Sequence, residues 1–210
     1  MKKLLLAAAA VAMPVGMIAS TAGIAGAGAP KTDVTHNTVS CTTVTGTAKF
    51  APALISGGSQ PENTNVKLVL GGCTTDAAGV TISAGKGSGV LHSASNNATS
   101  LLGPTAVTGQ VVIKWTTNKK LTTKSSTVTV TVVTGGTSGS YASFAVTSGN
   151  ASVAGDFAGS DAGATTTLYA ETTQTLATLG AEATPPAKGI KSITLGTDGT
   201  HLVSNSLHLG

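Results

Sequence analysis

Few stretches of this 210-residue chain carry residue types that do chemistry, and their spacing limits what they can do. Gly136-Thr137-Ser138-Gly139-Ser140 approaches a nucleophile elbow, in which glycines flank a serine on a sharp turn. Ser140 stands where the closing glycine belongs, so a hairpin loop is expected there. Gly85-Lys86-Gly87-Ser88-Gly89 has the content of a phosphate-cradling loop. It lacks the glycine four residues ahead of the Gly-Lys pair and the hydroxyl directly after the lysine, so it reads as a flexible turn. Asp156 and Asp161 bracket a short loop, but calcium asks for more oxygen ligands at regular intervals.

His36, His92, His201 and His208 show no metal-ligand spacing, and in a strand His201 and His208 would face opposite ways. The eight acids select no pair by position. Two of them on separate strands could still meet across a sugar, which keeps a hydrolase of a cell-envelope polymer as the alternative reading. Trp115, Tyr141 and Tyr169 are the aromatic candidates for a sugar platform, but Trp115 shares a strand face with Val111 and Ile113 and is expected in the core. No catalytic, cofactor-binding or metal-ligating set is expected, and no cofactor.

Two features do point somewhere. Lys114, Lys119, Lys120 and Lys124 surround one expected hairpin end and form a candidate contact for a polyanion. All 12 basic residues are lysine, so the bidentate fork that reads phosphates and base edges is missing and nucleic acid is not an expected partner. Cys41 and Cys73 are the only cysteines. In an exported protein such a pair forms a disulfide by default.

Export is expected from the first 27 residues, read as a signal peptide. Lys2 and Lys3 precede an apolar run over residues 4–18, and Ala25-Gly26-Ala27 fits a cleavage site, with Ser20-Thr21-Ala22 a second one. The run is too short to span a bilayer and Pro14 and Gly16 interrupt it, so no transmembrane segment is expected in the mature chain. Removing the leader takes two lysines from a net charge of +4.

These residues need elements to hold them. Thr (36), Ala (31), Gly (27) and Ser (20) make up more than half the chain, while charged residues are 10% and aromatics 3%. A β-branched, hydroxyl-rich chain of that kind reads as all-β. After a flexible lead-in at 28–38, runs at 39–50, 66–70, 89–93, 107–117, 126–134, 140–147 and 151–157 read as strands of one domain over 39–210. Val107, Gly109, Val111, Ile113 and Trp115 share one face, and Val128, Val130 and Val132 share another, with Asn118-Lys119-Lys120 as the hairpin tip between them. Val44, Ala48 and Phe50 match Val66, Leu68 and Leu70, which would put a Cys41–Cys73 bridge on the opposite face with Thr43, Thr45 and Thr47. One short helix is expected within 171–183, ending before Pro185-Pro186, followed by a strand at 189–195. The expected fold is an antiparallel β-sandwich, Ig-like or of a similar Greek key, with at most that one helix.

Cys41-Thr42-Thr43-Val44-Thr45-Gly46, Phe50-Ala51-Pro52-Ala53-Leu54, Leu70-Gly71-Gly72-Cys73 and the late Gly189-Ile190-Lys191-Ser192-Ile193-Thr194 carry a resemblance. They resemble segments of uncharacterised exported β-rich proteins of high-GC Gram-positive (actinobacterial) bacteria. The resemblance implies a secreted β-rich domain with a Cys41–Cys73 bridge, and brings no activity with it. The functional expectation is a secreted, non-enzymatic binding or structural module at or beyond the cell envelope, with an envelope polymer or a surface protein as its partner.

Overall fold

Side chains alternate in direction along a strand, so a run with apolar residues at every second position buries one face only. Ten such runs pair here into one antiparallel sheet. They are β1 (Val39–Leu54), β2 (Glu62–Thr75), β3 (Ile82–Ser93), β4 (Pro104–Thr117), β5 (Ser126–Ser138), β6 (Tyr141–Val146), β7 (Ala151–Gly155), β8 (Thr167–Thr175), β9 (Ile190–Leu195) and β10 (Ser206–Leu209). The helix α1 (Leu176–Ala183) lies between β8 and β9, and short 3-10 turns cover Ala98–Leu102 and Ser148–Asn150. This computed structural model describes residues 30–123, 125–159, 165–196 and 205–210. The expected leader, Lys124, Asp161, Asp198 and His201 lie outside the described residues.

Among the described residues, the all-β antiparallel class with a single short helix is as expected. Strands β1 to β6 pair in sequence order and β6 pairs with β8. Strand β8 then bonds to both β9 and β10, each of which bonds to β1, so the ladder returns to its start. Strands β6 and β7 lie end to end along β5, which faces β6 over its last residues and β7 over its first, with the Ser148–Asn150 turn between them. Within the expected lead-in, Thr32 bridges to Leu121 and Val34 is buried.

The interior carries Val44, Leu68, Leu70, Val111, Ile113, Val128, Val130, Ile193 and Leu195. Trp115 and Phe157 meet edge to face with ring centroids 5.5 Å apart. The expected β4–β5 hairpin is present, and its tip is held by Thr32, which donates to the Lys120 carbonyl and accepts from the Thr122 amide.

Three expectations need correcting. Gly85-Lys86-Gly87-Ser88-Gly89 is the middle of β3, not a turn. A Cβ on Gly85 would sit 2.8 Å from the Trp115 ring and one on Gly89 would sit 2.0 Å from the Gln110 carbonyl oxygen, so these glycines let β4 pack close. The disulfide is formed, with Cys41 directly opposite Cys73, but Cys41 is buried instead of sharing the outward threonine face. Two consecutive outward residues, Thr42 and Thr43, separate buried Cys41 from buried Val44, opposite Gly72 with φ +58°. A similar slip lies in β5: the β4–β5 register shifts between Ala106 and Gly109, and Val133, not Val132, packs on the core with Val128 and Val130.

Helix α1 is shorter than the 171–183 window, because residues 171–175 complete β8. The Thr175 hydroxyl accepts from the Thr178 amide at 3.3 Å and so starts the helix.

Replacing both cysteines by alanine should lower the unfolding free energy by about 2–4 kcal/mol in chemical denaturation. The variant should still fold, because the β1–β2 ladder pairs eleven other positions between Val39 and Ala51.

Candidate functional site

Inward residues of most strands line an apolar cavity of about 140 Å³. Its wall is aliphatic and aromatic, with Ala48, Phe50, Leu68, Val111, Val130 and Phe144 among its members. A void near 150 Å³ has room for a molecule about the size of benzene. Polar groups come from Glu62, Thr64, Ser93, Ser100 and Thr105, which belong to β2, the end of β3, the 3-10 turn and the start of β4.

Glu62 is the one ionisable residue in this lining and is 3% exposed. Burial pushes its carboxyl up, opposed by the Thr64 hydroxyl and the Ala51 backbone. Thr64 Oγ1 lies 2.9 and 3.0 Å from the two Glu62 carboxylate oxygens and can donate to one of them at a time. The Ala98–Leu102 turn closes this region: Leu101 lines the cavity on one side and an outer groove of about 240 Å³ on the other. That groove runs between the turn and α1 and is walled by Leu102, Leu176, Leu179, Ala183 and Ile190.

A second, polar cleft of about 360 Å³ lies among Lys31, Trp115, Thr117, Lys119, Lys120, Leu121, Thr123 and Asp156. It holds two of the lysines expected as a polyanion contact, Lys119 and Lys120. Lys114 instead points outward from β4, opposite Lys86, and Lys124 lies outside the described residues. Asp156 is 1% exposed. One of its carboxylate oxygens accepts from the Thr123 hydroxyl, and the other, Oδ2, is buried with no partner. Burial pushes this carboxyl up to about 6, and Asp33 adds to the effect. The Trp115 indole N–H donates to Ser126 Oγ at 2.8 Å, and Ser126 donates onward to the Asp156 carbonyl, so the ring is a fixed wall of this cleft.

Asp33 is exposed and accepts from the Thr35 amide at 2.9 Å, which holds its carboxyl below the ordinary range. Glu171 accepts from the Tyr169 hydroxyl at 2.6 Å on β8. The buried acids are thus apart, Glu62 on β2, Asp156 just after β7 and Glu171 on β8, and only the first two line a cavity or cleft described above. Among the described residues no three His, Cys, Asp or Glu come together as a metal-binding group. His92 pairs with Asn63 at 2.5 Å and His208 with Ser40 at 2.7 Å.

Sequence reading missed Glu62 and the cavity. The available signal was an acid at the mouth of an alternating apolar run, Glu62, Thr64, Val66, Leu68, which puts a carboxyl on the buried face.

Asp156 gives a pH signature with a definite sign. Its carboxyl is raised from 3.8 to about 6, so below about pH 4 it is protonated in both states. As pH rises from about 4 through about 6 the unfolded chain ionises first, and stability falls. Asp33 and Asp76, both lowered, titrate below that window, whereas Glu62, also raised by burial, adds a fall of the same sign, so Asp156 accounts for part of the change. Asp156→Asn should flatten the fall in melting temperature across this window and raise stability at neutral pH by on the order of 1 kcal/mol.

The chain matches no protein-family model, no curated protein and no solved structure.

Proposed function

We propose that the chain is an exported binding protein that takes an apolar ligand into the interior of its closed sheet. The carrying observation is the apolar cavity whose only ionisable wall residue is the buried Glu62. A pocket of this kind favours a ligand with a hydrocarbon body and a hydrogen-bonding end, because few polar groups converge at one place. At about 140 Å³ the cavity takes a ring or a short stretch of chain. The apolar groove on the far side of Leu101 offers room for a longer chain to continue toward α1.

Export is supported by Lys2 and Lys3 ahead of the apolar run at 4–18, by Ala25-Gly26-Ala27, and by the Cys41–Cys73 disulfide. Among the described residues no helix is long and apolar enough to cross a membrane. A non-catalytic role at or beyond the cell envelope fits a site with one buried carboxyl and no second acid beside it in the lining.

Titration with an environment-sensitive apolar fluorophore, read by fluorescence and by native mass spectrometry, tests this. The native chain should bind it, and a long-chain alcohol should displace it. Ala48→Phe and Val111→Phe fill the void and should weaken binding roughly tenfold or more, at a cost of about 1–3 kcal/mol in stability where the ring overfills it. Undiminished binding by both variants, or no uptake by the native chain, would refute the reading.

A further inference from the structure

The register of β1 to β4 places four lysines in one line on the outward face. Lys49 lies opposite Asn65, and Lys67 is two residues further along β2. Lys67 lies opposite Ser88, and Lys86 is two residues away on β3 and directly opposite Val69. Lys86 in turn lies directly opposite Lys114. Each step is thus a diagonal or direct cross-strand neighbour, about 5–8 Å apart at the backbone. All four lysines are exposed. The four strands contain one acid, Glu62, and it is turned into the cavity.

Like charges set directly opposite, as at Lys86 and Lys114, work against the ladder. An anionic partner removes that repulsion. Apolar groups share the same face. Val69 is 51% exposed and Val90 is 37% exposed. Val69 stands opposite Lys86, and Val90 stands between Asn65 and Gln110. A soluble polyanion would use the lysines alone, whereas methyl groups set among ammonium groups match a layer of anionic headgroups over hydrocarbon.

We propose that the outward face of β1 to β4 docks on an anionic lipid bilayer, through Lys49, Lys67, Lys86 and Lys114 with Val69 and Val90 on the same face. This assignment differs from the hairpin-end lysines and stands independently of the cavity. Each lysine near such a surface contributes about a fivefold gain in binding, screened by salt.

The test is co-sedimentation of residues 28–210, which keep every described strand and lack the apolar leader. Vesicles of phosphatidylcholine alone are compared with vesicles containing phosphatidylglycerol. Binding is expected to the anionic vesicles only, falling with salt. Lys67→Glu with Lys86→Glu should reduce it by roughly 25-fold or more, while Lys119→Glu with Lys120→Glu should leave most of it. Val69→Ser should weaken vesicle binding without changing the melting temperature. The proposal fails if anionic and neutral vesicles bind alike, if neither binds, or if the Lys67/Lys86 variant binds as the native chain does. It fails equally if Val69→Ser has no effect and polyphosphate binds as tightly as the vesicles, which would assign the face to a polymer.

Discussion

Closure of the antiparallel ladder is the constraint on which the remaining structure depends. Once β8 reaches β1 through both β9 and β10, each strand residue of the circuit must face either the interior or the outside. A chain with 10% charged residues can satisfy such a division only by placing hydroxyls and lysines outward and aliphatic side chains inward at every second position. Thr127 and Thr129 flank buried Val128 and Val130 in β5 on that rule. The rule is suspended where the chain needs something else. The slip at Thr42 and Thr43 turns Cys41 into the core, and the β4–β5 register shift turns Val133 toward the cavity.

Charge follows the same division, and this alters how the net charge should be read. Glu62, Asp156 and Glu171 are buried, whereas every described lysine is exposed. Buried carboxyls cost desolvation, which is why Glu62 and Asp156 both hold protons more tightly than free carboxyls. Subtracting acids from lysines therefore understates how basic the surface is. The mature chain looks nearly neutral in sequence, yet the outward face of β1 to β4 carries lysine without any acid.

Legibility of the fold tracked the local strength of the period-two pattern. The run from Val107 to Trp115 announced its buried face, and Leu176 and Leu179 ahead of Pro185-Pro186 announced a helix. The run at 89–93 read as a strand, but the first half of β3 was hidden because its middle inward positions are Gly85 and Gly87, which show no hydrophobicity. Their role is to leave room for Trp115, Leu68 and Val111, a property of the neighbours and not of the segment itself. Register was equally hidden. Lys49, Lys67 and Lys86 are separated by 18 and 19 positions in the chain, and only the pairing of β1, β2 and β3 sets them side by side. The cavity was out of reach for the same reason, since its wall draws single residues from distant strands.

Strand β2 shows how tightly the two proposed surfaces are bound together. Glu62, Thr64, Val66 and Leu68 line the cavity, while Lys67 and Val69 point outward from the residues between them. A one-residue slip of β2 would put the lysine inside and the carboxyl outside, destroying both surfaces at once. The ladder to β1 resists such a slip along its length, and the Cys41–Cys73 bond fixes it at one end. The disulfide therefore does more than restrain the unfolded chain: it fixes the register that separates an apolar interior from a basic exterior.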